Sequence, residues 1–238
     1  MTALPEVPLD RALRRVDAIW SPDAAPHHLV YGQTGSGKTT LIKALLSLCP
    51  KSRTLILDPK PATDPVWDGP PEDPDRWGKP VARVEPRFGF EGDAGGGPWG
   101  MRYRLTGSPD RADTGRRFGD ALATVAAEGH CLLVLDDVRE ICRQLRLAER
   151  VDSVMNLGRS ASVLAVLAAT ETGYVSGRAQ AGMVWVGATS GLEAARNGAA
   201  LLGKSGRDWY ETTGAIEPHQ WIYADSQPGT AGPALVAR

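Results

Sequence analysis

A chain of 238 residues with a formal net charge of −1, 42% hydrophobic and 23% charged, has the composition of an ordinary folded protein and the length of one α/β domain with a small appendage. That excludes a disordered or fibrous chain, and the longest uncharged apolar run, Ser162 to Ala169, is far too short for a membrane span. The near-neutral charge weighs against a uniformly basic nucleic-acid binder but leaves room for a basic stripe or a pore formed by several copies.

The first residues, Met1-Thr2-Ala3-Leu4-Pro5-Glu6, lack the basic start and apolar run of a secretory signal. A soluble protein of the cytoplasm, with no membrane partner, is therefore expected. Cys49, Cys131 and Cys142 are odd in number and form no C-x-x-C pair, so they are expected as buried thiols rather than as disulfides or zinc ligands.

In chain order, Leu9, Ala12, Leu13, Val16, Ile19 and Trp20 predict an amphipathic helix over Pro8 to Trp20, packed on a sheet edge or on a neighbouring subunit. Its Arg11, Arg14 and Arg15 form either a solvated face or a nucleic-acid contact. A turn over 21–26 completes an N-terminal segment, 1–26.

Next comes a strand, Leu29-Val30-Tyr31, then Gly32-Gln33-Thr34-Gly35-Ser36-Gly37-Lys38-Thr39, then a helix from Thr40 to Leu46. Strand, glycine-rich turn and helix is the order of a phosphate-binding loop. Glycines admit the backbone angles that let successive N–H groups converge on one anion at a helix N-terminus. Gly32, Thr34, Gly35, Ser36, Gly37, Lys38, Thr39 and Thr40 are the expected ATP-binding residues. Lys38 would reach the β- and γ-phosphates, and the Thr39 hydroxyl would ligand Mg²⁺.

Arg53 to Asp58 reads as a buried parallel strand running into Asp58-Pro59-Lys60, which places Asp58 and Lys60 at the rim of a site. From Pro59 to Pro109 the chain holds ten of its 18 prolines, Gly95-Gly96-Gly97, Trp67, Trp77 and Trp99. It is read as an insertion, 61–109, with short strands at Val81–Val84 and Met101–Leu105. Alternation in the second puts Arg102 and Arg104 on one face, exposed to solvent or tracking phosphates.

A helix is expected over Asp110 to Glu128, and Cys131-Leu132-Leu133-Val134-Leu135 then carries Asp136-Asp137. About a hundred residues after a phosphate loop, this is the strand that brings an Asp to Mg²⁺. Asp136 is thus the second expected metal ligand. Val138 to Gly158 is predicted as one helix, Ser160 to Thr170 as a buried strand, Met183–Val186 and Gln220–Ala224 as strands, and Leu192–Leu202 and Asp208–Thr212 as helices. The nucleotide domain is taken as 27–225, with a flexible tail over 226–238.

These features resemble the FtsK/HerA family of P-loop ATPases: Gly32 to Thr40, the strand ending Asp58-Pro59-Lys60, the Leu132 to Asp137 strand, Arg159 ahead of the next strand, and Ala169-Thr170-Glu171 at its end. The resemblance implies a RecA/ASCE-like, mostly parallel sheet flanked by helices. It also implies ATP hydrolysis coupled to translocation of double-stranded DNA by a ring of five or six copies. The length resembles viral genome-packaging members, for which a portal or other assembly protein is an implied partner.

By the resemblance, Asp137 activates water, Arg159 acts as a finger in a neighbour's site, followed by Arg196 and Arg207, and Glu171 either faces the γ-phosphate or, because its charge would oppose a triphosphate, stands at the rim. Glu140, one helical turn after Asp137 at i+3, is the substitute carboxylate. The sequence departs from the family at Asp137, usually Glu, and at Glu171, usually Gln. Loop position alone suggests Lys79, Arg83, Arg87 and Arg178 as DNA contacts. A non-hydrolysing assembly ATPase and a small-molecule kinase, with 203–207 as a faint lid, are the alternatives.

Overall fold

In a computed structural model, residues 4–19, 27–47, 54–61, 81–83, 102–157, 160–170, 181–225 and 233–237 are described. Lys79, Arg87, Cys49, Arg159, Glu171, Arg178 and the three insertion tryptophans lie outside them. The apolar runs of the sequence become the strands β1 (Glu6–Pro8), β2 (His27–Tyr31), β3 (Thr54–Pro61), β4 (Val81–Arg83), β5 (Arg102–Gly107), β6 (Cys131–Leu135), β7 (Val163–Ala169), β8 (Ala181–Val186), β9 (Trp221–Asp225) and β10 (Ala234–Ala237). The helices are α1 (Leu9–Ile19), α2 (Lys38–Ser47), α3 (Arg111–Glu128), α4 (Ala148–Leu157), α5 (Gly191–Leu201) and α6 (Arg207–Gly214).

All ten strands join one sheet in the order β1-β10-β9-β8-β2-β7-β6-β3-β5-β4. From β8 to β4 the pairings are parallel, and β9 runs antiparallel to both β8 and β10. Parallel strands covered on both faces need unbroken apolar runs, and β2, β6, β7 and β8 are buried throughout.

Alternate side chains sort to the two faces. Leu29, Tyr31, Leu55, Leu57, Leu133, Leu135 and Leu167 join Phe118, Leu122 and Val125 of α3 and Val151 and Met155 of α4. Val30, Ile56, Leu132, Val134 and Val166 face Ala12 and Val16 of α1 and Leu41, Ile42 and Leu45 of α2. The first helix thus packs on its own sheet face. Cys131 and Cys142 are free and buried, and no helix among the described residues is long and apolar enough to cross a membrane.

Three expectations are corrected. The segment after 225 was expected to be flexible, yet 234–237 form β10, paired to both β9 and β1, because Ala234 and Val236 bury 4% and 1% exposed side chains on the sheet. The helix expected from Val138 to Gly158 is broken. Its first part widens into a π turn, Glu140–Gln144, where the Leu145 N–H donates to the Glu140 carbonyl at 3.0 Å, and Arg146 follows with φ 57°. Leu145 and Leu147 would point apart on a regular helix, and the break turns both into the core. Arg104, expected at a phosphate or in solvent, is buried against Asp58 at 2.6 Å. The insertion also adds β5 and β4 to the sheet beside β3.

Buried within β2, His28 is 0% exposed, and its Nδ1 accepts from Trp185 Nε1–H at 3.2 Å. Burial, and then the neighbouring His27, lower its pKa from 6.5 to about 3. The unfolded chain therefore binds a proton below about pH 6.5 that the folded chain refuses, so stability falls as pH drops through that window towards 3. We expect this site to cost about 2 kcal/mol between pH 7 and pH 5. Denaturant unfolding at the two pH values would show it, and His28→Asn, whose Oδ1 can replace Nδ1 as acceptor, should flatten the dependence by that amount. An unaltered pH dependence in the variant would rule the site out as its source.

Candidate active site

The site forms where β2, β7, β6 and β3 end. Beyond β2 the chain turns through Gly35 and Gly37, both with left-handed backbone, φ 81° and 91°, angles that side chains resist. The loop is pinned at its base: Gly32 N–H donates to Ala169 O at 3.1 Å and Gln33 N–H to Ala188 O at 2.8 Å. Ser36 is fully buried, and its Oγ has no hydrogen-bond partner among the described residues. Lys38 opens α2, and its Nζ donates to the carbonyls of Gly32 and Gln33, each at 2.8 Å.

A cleft of about 350 Å³ is lined by Thr34, Gly35, Gly37, Lys38, Thr39, Thr40, Lys60, Asp136, Asp137, Ala168, Thr170 and His219. Of the residues expected to bind ATP, Thr34, Gly35, Gly37, Lys38, Thr39 and Thr40 line it. Gly32 and Ser36 lie beneath, where a Cβ on Gly32 would sit 2.7 Å from Ser36 Oγ.

Three carboxylates and three cations are interlocked here. Arg104 reaches Asp58 Oδ2 through Nη2 at 2.6 Å and Nε at 3.1 Å, while Asp58 Oδ1 accepts the Lys60 backbone N–H at 3.0 Å. Lys60 Nζ stands 3.4 Å from Asp136 Oδ2. The Asp58 pKa is raised, first by burial and then by the Asp136 charge, with the Lys60 N–H and Arg104 opposing. Burial lowers that of Lys38, against the pull of Asp136 and Asp137 and with the push of Lys60. The ammonium of Lys38 is thus held in a partly dry place, where a polyanion would be its natural complement.

Asp137 has φ 68°, a conformation that Asp tolerates better than most residues. Its Oδ1 accepts the Glu140 N–H at 3.2 Å and so caps the segment that follows. Glu140 is absent from the cleft lining, and its carboxylate lies 3.5 Å from Arg111. Arg196 lies 5.5 Å from the Tyr210 ring centroid and Arg207 pairs with Glu211 at 2.7 Å, both on the α5–α6 side.

Thr39 and Asp136 suit magnesium, which is commonly held by one or two protein oxygens together with substrate phosphates and water. No group of three or more His, Cys, Asp or Glu able to hold a metal by themselves occurs among the described residues.

The strand that carries the glycine loop, β2, is separated from the Asp136 strand, β6, by β7. That extra strand, with the loop at the end of β2, is the arrangement of the ASCE class. The chain has a P-loop NTPase fold.

No family model and no curated protein matches its sequence. Solved structures do match this fold. The genome packaging NTPase B204 from Sulfolobus turreted icosahedral virus 2, in complex with ATP-gammaS, aligns with TM-score 0.55 and 14% identity over 91% of this chain and 98% of its own. The cytoplasmic domain of the Thermomonospora curvata Type VII secretion ATPase EccC aligns with TM-score 0.61 and 18% identity over 90% of this chain and 25% of its own. The pCW3 conjugation coupling protein TcpA, with ATPgS, aligns with TM-score 0.50 and 12% identity over 88% and 59%. At these identities the likeness is one of fold.

Three cleft residues were not among the expected site residues. Ala168 and Thr170 lie in and just after β7, a strand that was expected, but neither was assigned chemistry of its own. His219 comes from the connection between α6 and β9, far along the chain from the loop it meets, and no motif marks it.

Proposed function

We propose that this P-loop NTPase hydrolyses ATP to drive movement along double-stranded DNA as a ring of identical subunits, in the manner of the FtsK/HerA motors. What carries the reading is the cleft that gathers Lys38, Thr39, Asp136 and Asp137 at the ends of β2 and β6, on a fold matching nearly the whole length of a viral packaging NTPase.

In this reading Lys38 leaves the carbonyls of 32 and 33 for the β- and γ-phosphates, and the loop N–H groups hold the phosphate chain. Thr39 and Asp136 would hold magnesium, which would supply positive charge to the phosphates. Asp137 orients and deprotonates the attacking water. Arg159 of a neighbouring subunit supplies positive charge at the transferring phosphoryl group, a role worth on the order of 10³–10⁵ in turnover.

The test is turnover with and without duplex DNA, alongside light scattering of the same samples. We expect DNA to stimulate hydrolysis, with salt suppressing the effect as phosphate contacts are lost, and ATP with DNA to shift the mass to that of a ring. Turnover indifferent to duplex at low salt would remove the motor reading.

One observation favours a second reading, an assembly ATPase that binds without rapid hydrolysis: the Asp137 carboxylate is already used as a helix cap. Tight ATP binding with negligible turnover, with and without DNA, would select it.

A further inference from the structure

We propose that His219 is a nucleotide-contacting residue, its imidazole donating a hydrogen bond to the phosphate chain of bound ATP. The inference rests on the ATP site proposed above and adds to it a residue from the far end of the chain.

Four observations converge on this side chain. Its ring lies directly on the phosphate loop, since a Cβ built on Gly37 would stand 2.5 Å from His219 Nδ1 and 3.0 Å from Cε1. Its backbone N–H donates to Ser36 O at 3.0 Å, tying residue 219 to the loop independently of the ring. It lines the same cleft as Lys38, Thr39 and Asp136.

The fourth is its backbone. His219 has φ 66°, a left-handed conformation uncommon outside glycine, although histidine adopts it more readily than most residues. The turn that enforces it is closed twice, by the Gln220 N–H to Glu217 O at 3.0 Å and the Glu217 N–H to Gln220 Oε1 at 3.2 Å. A backbone of this kind persists only where the surroundings fix it, and this doubly closed turn holds the ring in place over the loop. No side-chain hydrogen bond holds the His219 ring among the described residues, so its ring nitrogens remain available beside N–H groups that converge on phosphate. The same contact gives Gly37 a second reason to be glycine.

Loss of one hydrogen bond to a charged phosphate should weaken binding about 10- to 100-fold. The experiment is calorimetric titration of the full chain with Mg-ATP and, separately, with inorganic tripolyphosphate, for the wild type, His219→Ala and His219→Asn. Asparagine accepts the left-handed backbone but is too short to replace the ring, so it keeps the turn while removing the contact. We expect both variants to lose affinity for ATP and for tripolyphosphate by similar factors, with ligand-free thermal unfolding of His219→Asn unchanged. Affinities equal to wild type would overturn the contact. Loss for ATP with none for tripolyphosphate would also overturn it, placing the ring against the nucleoside. A wild-type chain that binds no ATP would overturn the site reading itself, and this contact with it.

Discussion

Replacing Arg104 with alanine is expected to destabilise the fold by about 3–5 kcal/mol, the usual cost of removing one partner of a buried ion pair. Arg104 and Asp58 have side chains 1% and 0% exposed, joined at 2.6 Å, so the variant leaves a buried carboxylate without its counter-ion. The Asp58 pKa is raised even with the guanidinium present, by burial and by Asp136, and loss of Arg104 raises it further. A carboxyl whose folded pKa lies above its unfolded value binds more protons in the folded state. Stability is then lost as pH rises through that window, so the Arg104→Ala deficit should be larger at pH 8 than at pH 5.

Denaturant unfolding at both pH values measures this. The double replacement Arg104→Met with Asp58→Leu should recover much of the loss, because an apolar pair needs no compensation. A deficit below about 1 kcal/mol, or a double variant worse than Arg104→Ala, would show that the pair does not hold the strand ends together as described.

The pair also explains how the insertion serves the site. Arg104 sits on β5, near the end of the proline-rich stretch, and its partner Asp58 accepts the N–H of Lys60, whose ammonium faces Asp136. A chain of three contacts thus runs from β5 to the expected magnesium ligand.

Most of the frame was legible because it depends on local pattern. Unbroken apolar runs followed by glycine, aspartate or Asp-Pro-Lys identify strands buried on both faces, and β2, β3, β6 and β7 appear within a few residues of expectation. What was illegible depends on distant partners. Arg104 alternates with apolar neighbours as a surface arginine would, and only the position of β5 beside β3 makes Asp58 its counter-ion. The strand β1 is three residues ending in proline, with no signal until Leu235 and Val236 give it a partner. Leu145 and Leu147 fit no helical period because the backbone widens between them and the preceding turn. His219 shares this character, since a lone histidine in a polar turn means nothing until Gly37 is found beneath it.

The second large effect separates binding from chemistry. Lys38→Ala should weaken ATP binding about 10- to 100-fold, through loss of charge-assisted hydrogen bonds to phosphate, and abolish turnover. Asp137→Asn should leave affinity near the wild-type value and reduce turnover about 10²–10⁴-fold, the range of a general base. Asparagine is apt here for structural reasons. It tolerates the left-handed φ of 68° and caps a helix as well as aspartate does, so the Asp137-to-Glu140 contact survives. What it cannot do is accept a proton from water. Equilibrium titration with ATP and steady-state phosphate release, on the same preparations, give the two readouts. Turnover unaffected by Asp137→Asn would reduce Asp137 to a cap, and Glu140→Gln would then report whether that carboxylate leaves Arg111 to act in its place. If the variant instead loses affinity and turnover together, Asp137 belongs to the binding of the phosphates and not to the activation of water.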